Sequence, residues 1–484
     1  MKVFGRNNEL RRWYALGLLC VAQFVMVLDA TIVAVALPGI QQDLGFSSTG
    51  LQWVISAYTL AFGGFLLLAG RAADLWGRRR MFLVGLAVFT GASLACGLAA
   101  TPSALVLGRI MQGFGAAIVA PAALSSLTTH FPEGNGRGRA LGVGTAAAAG
   151  GGATGWLLGG LVAGSLGWEW VFFINLPVGL AGLALAPVLV SESRDQNAPS
   201  RLDVAGAVSV TAGLTLLVYG ITRVEEAGFT APATLASLAS SGVLLALFVI
   251  VEGWVRNPLV PLGVFRSRVL VGSNLVALVL TAATTPPMLL CVLYVQQVLG
   301  FSPAHAGLVF PPFNLAVIGG SLFGPRLVAR LGSRATMVCG LILVSAGSAT
   351  LLGIGPQAGG YLLYLIPAFV LMGTGLGCAS VASTASGTAA ASGGLQGLAS
   401  GLLNSAAQIG TVLGLAVLVP LSAARTEALA HTISHEAALV EGFRLAFVGA
   451  AVLAVCGIAV AVLLTGPEQC EAADPSADPE GAVQ

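Results

Sequence analysis

Charged residues are scarce in this 484-residue chain. They make up 9% of it, whereas hydrophobic residues make up 56%. A typical soluble domain carries about 25% charged residues, and the mean hydropathy here is +0.90, so a soluble protein is excluded. The net charge of +2 does not indicate nucleic-acid binding, because the basic residues are scattered through short loops rather than gathered on one face.

Lysine is almost absent, and so are the common catalytic motifs. Lys2 is the only lysine, against 21 arginines, so the chain has no phosphate-binding loop and does not hydrolyse ATP by that route. No H-E-x-x-H or C-x-x-C occurs, and the seven cysteines form no close pair. We therefore expect no enzyme activity, no cofactor and no metal site.

One histidine pair has a spacing that could bind a metal ion. His431 and His435 are four residues apart, with Glu427 and Glu436 nearby, and this spacing could bind a metal on a helix. No third ligand is evident, and the segment falls in a predicted external loop. The alternative, a solvated face without metal, is therefore favoured.

Long apolar stretches dominate the chain. A membrane helix needs about 20 apolar residues, and fourteen stretches satisfy this requirement. They lie near 13–36, 51–70, 82–100, 103–125, 140–164, 171–190, 203–221, 233–253, 269–294, 304–325, 335–354, 361–383, 398–420 and 443–465. The predicted fold class is an all-α integral membrane protein with 14 transmembrane helices.

Arginines in the connections predict the orientation. With the N-terminus inside, 18 basic residues fall on the cytoplasmic side and 3 outside (Arg223, Arg425 and Arg444). Positive residues are concentrated in cytoplasmic loops of membrane proteins. We therefore expect a multi-pass protein of the cell inner (plasma) membrane with both termini in the cytoplasm.

Internal repeats predict the domain organisation. Residues 70–80, between spans two and three, are weakly similar to residues 324–334, between spans ten and eleven. Residues 113–126 of span four resemble residues 373–386 of span twelve. Equivalent elements are eight spans apart, which predicts two six-helix bundles separated by two inserted helices. The predicted units are an N-terminal bundle (1–192), two accessory helices (193–258), a C-terminal bundle (259–465) and a disordered cytoplasmic tail (466–484).

Two ionisable residues lie well inside the predicted spans, Asp29 and Arg109, whereas the other 40 of 42 charged residues lie in connections or at span edges. A charge in the hydrocarbon region costs roughly 2.5–3.5 kcal/mol, so it is rare without a function or a partner. If the first span ends near Pro38 and the fourth begins near Ser103, the two residues lie about 13 Å and about 9 Å deep, at about 1.5 Å per residue. They are predicted to meet, either as a permanent ion pair between helices or as a pair that couples transport to protons.

Several motifs together resemble those of the major facilitator superfamily, and in particular its 14-helix drug:proton antiporter family. Residues 28–38 resemble the first-helix signature, although Ala34 stands where asparagine is usual, and residues 168–179 resemble the start of helix six. The fourth-helix motif is matched by Arg109, Gln112, Gly113, Gly115 and Ala117. The resemblance covers nearly the whole chain.

Two further motifs suggest moving parts. The superfamily's loop between helices two and three is matched by Gly70, Asp74, Gly77, Arg78 and Arg79. By resemblance this loop is a gate, in which Asp74 and Arg78 exchange charge contacts between conformations; the alternative is a positively charged turn with no moving part.

The antiporter motif of helix five is resembled by Gly151, Gly155, Gly159 and Gly160, with Trp156 in place of its proline. These small residues could let a neighbouring helix slide, or could simply allow tight packing.

Four polar residues are candidates for a substrate cavity: Thr31, Gln112, Asn404 and Gln408. Asn404 and Gln408 are four residues apart and share a helix face, as Gln112 does with Arg109. Either pair could meet the substrate or bond a neighbouring helix.

The resemblance implies a secondary active transporter that exports a small hydrophobic or amphipathic compound, such as an antibiotic or toxic metabolite, in exchange for protons. Its expected partners are that small molecule, protons and the lipid bilayer, with no nucleic acid and with a monomer as the working unit. The alternatives are proton-linked import or export of an endogenous metabolite and, more remotely, a membrane receptor that does not transport.

Overall fold

The structure is a computed structural model that describes residues 2–47, 50–130, 135–193, 203–228, 230–255, 258, 260, 262–356, 361–390 and 396–465. Across these residues the chain is helical and forms no β-strand. An all-helical chain is expected in a bilayer, because each helix satisfies its own backbone polar groups.

Fifteen α-helices make up the described part. The first seven are α1 (Lys2–Leu44), α2 (Trp53–Trp76), α3 (Arg78–Gly97), α4 (Pro102–His130), α5 (Asn135–Ser165), α6 (Trp170–Phe173) and α7 (Asn175–Leu189). Two follow at the predicted accessory positions, α8 (Val204–Ala227) and α9 (Pro232–Trp254). The last six are α10 (Arg268–Leu293), α11 (Pro303–Val309), α12 (Pro311–Thr350), α13 (Leu362–Ala389), α14 (Gln396–Leu429) and α15 (His435–Leu464), with a π-helical turn at Tyr294–Val298 after α10.

Within the described residues, 12 helical segments are long and apolar enough to cross a membrane. One of them, Pro303–Gly353, is 51 residues long and combines two of the predicted spans. Its helix α12 is interrupted at Gly332, where φ is 82° and ψ is 160°, values that glycine adopts far more readily than other residues. The helix α5, which corresponds to the predicted fifth span, has 31 residues and is not among the 12 segments.

The first helix is longer than the sequence predicts. The predicted span ends near Pro38, but α1 continues to Leu44 with Pro38 inside it. Proline removes one helical hydrogen bond, yet Ile40 beyond it is fully buried in a cluster with Trp168 and Phe172. Packing of this last turn therefore holds the helix together past the proline.

Helices that follow one another in the chain pack into two groups. In the first group α1 packs against α5 and α7, and α4 packs against α2 and α3. In the second group α12 packs against α13, and α10 packs against α14 and α15. Each group has its own buried aromatic core, which includes Phe82 and Phe89 in the first and Phe310, Phe369 and Phe447 in the second.

Contacts between the groups run mainly through two helix pairs, α5 with α11 and α2 with α14, and α5 also meets α12. The ring of Trp156 on α5 stacks on Phe310 at a centroid distance of 4.4 Å, and Ser405 on α14 donates a hydrogen bond to the Gly63 carbonyl at 3.0 Å. The accessory helix α8 touches both α2 and α14, whereas α9 packs mainly on α8. The accessory pair is thus attached beside the line where the two groups meet.

Candidate functional site

The two ionisable residues predicted to meet form a buried ion pair. Asp29 of α1 is fully buried and Arg109 of α4 is 1% exposed. Arg109 Nη1 donates to Asp29 Oδ2 at 2.6 Å. The predicted contact is confirmed, and it joins two helices at a point where the sequence is otherwise apolar.

Three further contacts hold the Arg109 side chain. Its Nε donates to the Val54 carbonyl on α2 at 2.8 Å, and its Nη1 also donates to Gln112 Oε1 at 2.9 Å. The guanidinium carbon lies 4.4 Å from the centre of the Tyr58 ring, a cation–π geometry. Movement of α2 relative to α4 would therefore change the surroundings of Arg109 directly.

Two amides complete the surroundings of the Asp29 carboxylate. Asn175 Nδ2 donates to Asp29 Oδ1 at 2.7 Å, and Gln112 Nε2 donates to the same oxygen at 3.2 Å. Both amides also donate to Ser93 Oγ on α3, at 3.3 Å from Asn175 and 2.7 Å from Gln112. The network thus links α1, α3, α4 and α7, and every donor around the carboxylate is directed at its negative charge.

Asn175, like Ser93, is a network member that the sequence interpretation missed. It is fully buried at the first residue of α7, inside the segment 168–179 that resembles the start of helix six. A lone asparagine in an apolar run was the available signal, but such residues also serve simple helix packing in membranes. Its Oδ1 is buried and, within the described part of the chain, has no hydrogen-bond partner.

The network explains why Gln112 does not face a cavity. Gln112 is a candidate cavity residue that could instead bond a neighbouring helix, and the structure places it fully buried between Asp29, Arg109 and Ser93. A side chain three residues after Arg109 lies on the same helix face, so its partner is the ion pair. Gln112 thus bonds neighbouring helices, which is one of the two roles that the sequence left open.

The other three candidate cavity residues have different surroundings. Thr31 donates to the Val27 and Leu28 carbonyls of its own helix. Gln408 packs closely against Gly63 of α2, because a Cβ atom added to this glycine would lie only 2.8 Å from Gln408 Cβ. Asn404, one turn away, is exposed on α14.

The glycine stripe on α5 lies against α1 and α11. A Cβ at Gly159 would lie 2.7 Å from the Ile32 carbonyl oxygen of α1, closer than real Cβ atoms approach. A Cβ at Gly151 or Gly155 would likewise overlap α1, and one at Gly160 would overlap the backbone of α11. The stripe lets α5 lie close to α1 of its own group and to α11 of the other group. Tight packing and sliding both require such close contact.

The predicted gating loop is a sharp turn tied to the end of α7. Gly77 separates α2 from α3 and has a φ of 105°. Gly70 lies seven residues earlier, on α2, and packs against Pro121 of α4. Glu192 accepts from the backbone N–H groups of Arg79 and Arg80 at 3.1 and 3.2 Å.

Two side-chain contacts add to this tie. The Arg79 guanidinium lies 3.8 Å from Glu192 and donates to the Pro187 carbonyl at 3.3 Å, and the backbone N–H of Arg78 donates to Ser193 O. The side chain of Asp74, predicted to pair with Arg78, lies outside the described residues. Glu192 was not predicted, because a single acid after a span looks like any loop residue.

A second charged cluster joins the accessory helices to α2. Asp203 at the start of α8 and Glu252 near the end of α9 are 5% and 3% exposed, and Arg71 of α2 lies within electrostatic range of both. Asp203 Oδ1 accepts from the Gly206 N–H at 2.8 Å, and Glu252 Oε2 accepts from the Val260 N–H at 3.2 Å. Sequence reasoning placed all three at span edges and so did not pair them.

A cavity of about 1300 Å³ opens at the end of the molecule that carries the α1–α2 connection. We call this end the outer end, after the orientation that the sequence predicts. It lies between the two groups of helices, and its lining includes Gln41, Gln297, Glu427 and His435. Gln297 donates to Gln41 across the groups at 3.3 Å. Among the described residues, His431 and His435 belong to no cluster of three or more metal-ligating side chains.

The sequence matches the profile of the Major Facilitator Superfamily over residues 19–415. It is 40% identical to the puromycin resistance protein pur8 of Streptomyces alboniger, over 90% of this chain and 87% of that protein. It is 39% identical to the cephamycin export protein CmcT of Amycolatopsis lactamdurans, over 93% of this chain and 91% of that protein. It is 35% identical to the tetracenomycin C resistance and export protein of Streptomyces glaucescens, over 86% of this chain and 77% of that protein.

Solved structures share the fold. An autoinhibited peptide transporter of the POT family aligns with a TM-score of 0.68 and 16% identity, over 93% of this chain and 97% of that one. A bacterial homologue of the human lysosomal transporter Spinster, in an inward-facing and unoccupied conformation, aligns with a TM-score of 0.63 and 18% identity, over 94% and 97%. The family profile, the relatives and the helical fold agree: this multi-pass membrane protein belongs to the major facilitator superfamily, whose members are transporters and not enzymes.

Proposed function

We propose that this protein exports a small hydrophobic or amphipathic compound in exchange for protons, by alternating access. The observation that carries the proposal is the buried Asp29–Arg109 network, in a chain whose relatives are named for antibiotic resistance and export. A buried carboxylate that meets a single arginine across mobile helices can hold a proton in one conformation and release it in another.

The proposed architecture has fourteen crossings. A helix of 51 residues would be about 76 Å long at about 1.5 Å per residue, more than twice a hydrocarbon core of about 30 Å, so Pro303–Gly353 is proposed to cross twice with its turn at Gly332. The 31-residue α5 supplies the remaining crossing. Residues 1–192 and 259–465 form two bundles that rock about the substrate, residues 193–258 accompany them, and the tail 466–484 and the N-terminus lie in the cytoplasm.

The proposed cargo is weakly polar. The polar groups described between the bundles are mainly neutral, such as the Gln41 and Gln297 amides, which bond across the groups at 3.3 Å, and the Asn314 amide, whose Nδ2 is buried without a partner among the described residues. Neutral groups in an apolar surface favour compounds with a few hydrogen-bonding groups and a large apolar area. Puromycin, a cephamycin and tetracenomycin C, named for the relatives, are the first compounds to test.

Asp29 is the proposed proton carrier. When the carboxylate is charged, Arg109, Gln112 and Asn175 all donate to it. After protonation it becomes a donor and needs an acceptor. Asn175 can provide one by rotating its amide, because its Oδ1 has no competing partner among the described residues. The released Arg109 keeps its bonds to Val54 O and Gln112.

The loop around Gly77 is the proposed inner gate. Glu192 ties the start of α3 to the end of α7 in the present conformation. Such exposed contacts contribute only about 0.2–1 kcal/mol each, so they can form and break during a cycle without threatening the fold. Gly70, Asp74, Gly77, Arg78 and Arg79 would thus act together in the gate, as their resemblance to the superfamily loop implies.

Inverted membrane vesicles test the transport direction and the energy source. With an imposed pH gradient, acidic inside, and no ATP, labelled puromycin should accumulate inside the vesicles, and a protonophore should abolish the accumulation. Accumulation that requires ATP and persists with the protonophore would refute the proposal. Accumulation only in right-side-out vesicles would identify an importer instead.

A further inference from the structure

An apolar crevice lies between the accessory helix α8 and helices α2 and α4, on the outside of the first helix group. Its volume is about 700 Å³, and its lining includes Phe65, Ile110, Thr215 and Tyr219. A second cavity of about 440 Å³ shares Phe65 and Thr215 with it and continues towards Val208. The crevice is separate from the large cavity between the helix groups, because the two linings share only Ser47, at the outer rim.

The crevice has the depth of one membrane leaflet. On α8 it extends from Tyr219 to Val208, eleven residues or about 16 Å at about 1.5 Å per residue. Half of a hydrocarbon core of about 30 Å is about 15 Å. An acyl chain of the outer-end leaflet would therefore fit along its whole length.

The walls of the crevice offer little to a polar ligand. The hydroxyl of Thr211 donates to the Ala207 carbonyl at 2.7 Å, and that of Thr215 donates to the Thr211 carbonyl at 2.7 Å. Both hydroxyls are therefore used by their own helix. Apart from Ser47 and Ser103, which lie near the outer ends of α1 and α4, the remaining lining is glycine, proline, aliphatic or aromatic. This chemistry favours a hydrocarbon chain over a compound that needs hydrogen bonds.

The rim of the crevice carries a cation suited to phosphate. Arg223, one turn beyond Tyr219 on α8, donates from Nη1 to the Tyr219 hydroxyl at 3.2 Å, and Trp53 lies 6.5 Å from the Tyr219 ring. Arg223 Nε is buried and has no hydrogen-bond partner in the described part of the chain. Aromatic rings mark the headgroup level of a membrane, and the planar guanidinium matches phosphate geometry.

We propose that a glycerophospholipid of the outer-end leaflet binds here, with its phosphate on Arg223 and one acyl chain in the crevice between α2, α4 and α8. The bound lipid would fill the gap beside α8, the helix that touches both helix groups. The proposal does not depend on the direction or coupling of transport.

Native mass spectrometry of the purified, full-length protein tests the site with two lipids that have the same acyl chains. Dioleoyl phosphatidylglycerol should bind about tenfold more tightly than dioleoyl glycerol, which lacks the phosphate. Arg223→Gln should remove this difference, and Arg223→Lys should keep most of it. Arg425→Gln, which changes another predicted outer arginine that does not line the crevice, should leave it intact.

A second variant tests the crevice itself. Thr215→Trp fills it with an indole ring and should reduce the number of tightly bound phospholipids by one, with the thermal unfolding temperature as the check on folding. Equal binding of both lipids to the unmodified protein would overturn the proposal. So would Thr215→Trp protein that keeps its lipid but loses puromycin binding, because the crevice would then be a substrate site.

Discussion

Replacing Asn175 by leucine should move the pH dependence of transport. Leucine keeps the branched shape of asparagine but cannot donate to Asp29, so the carboxylate loses the 2.7 Å hydrogen bond from Asn175 Nδ2. A hydrogen bond to a charged group contributes about 1.5–3 kcal/mol, and about 1.4 kcal/mol corresponds to a factor of ten in proton affinity. The charged carboxylate loses a stronger bond than the neutral acid does, because the neutral acid would donate to the Asn175 oxygen and a bond between neutral groups contributes about 0.5–1.5 kcal/mol. The pH of half-maximal export should therefore rise by about 1 pH unit.

The assay is proton-driven uptake of a transported compound into inverted vesicles over a range of internal and external pH. Export at neutral pH should fall in Asn175→Leu and recover as the pH is raised. Thr90→Val is the matched control, because Thr90 is buried on α3 one turn from Ser93 but donates only to the Leu86 carbonyl of its own helix. Its pH profile should not move. An Asn175→Leu protein that is present at normal levels and has an unchanged pH profile would refute the role assigned to the network.

Two further variants test packing and gating. Gly159→Ala should lower the free energy of unfolding by about 1–3 kcal/mol, because the added Cβ would lie 2.7 Å from Ile32 O. Gly17→Ala, whose Cβ meets nothing within 4 Å, should be neutral or stabilising. Equal unfolding temperatures for the two variants would contradict the packing argument. Glu192→Gln should slow export several-fold at unchanged protein abundance, because it weakens the tie between α3 and α7. Glu441→Gln, which breaks a similarly exposed pair 2.6 Å long with Arg444, should leave export unchanged; export by Glu192→Gln at the rate of the unmodified protein would argue against a gate.

The ion pair could be predicted from the sequence because intramembrane charges are few. Once the spans were drawn, Asp29 and Arg109 had only each other as partners, and the structure confirms their contact. Neutral polar residues carry no such signal. Asn175 and Ser93 look like the many amides and hydroxyls that join membrane helices, and only the three-dimensional arrangement brings them to the carboxylate.

Span boundaries and edge charges were harder to predict. Proline is a frequent helix terminator, so Pro38 suggested an end that packing of Ile40 overrides. Arg71, Asp203 and Glu252 each lie at a span edge, where charges need no partner. Their convergence depends on how α8 and α9 pack beside α2, and local sequence patterns do not encode that packing.

The central claim is that Asp29 carries the coupled proton, and one comparison in proteoliposomes tests it most directly. Asp29→Asn keeps the shape of the side chain but cannot ionise, and Asp29→Glu, the control, keeps a carboxylate. Each variant is measured in two modes, accumulation driven by a pH gradient and exchange of labelled for unlabelled compound without a gradient. We predict that Asp29→Asn abolishes gradient-driven accumulation but retains exchange, whereas Asp29→Glu retains part of both. Gradient-driven accumulation at the normal rate by well-folded Asp29→Asn protein would contradict the claim. A lower amount of folded Asp29→Asn protein, with normal proton coupling in the protein that does fold, would also contradict it.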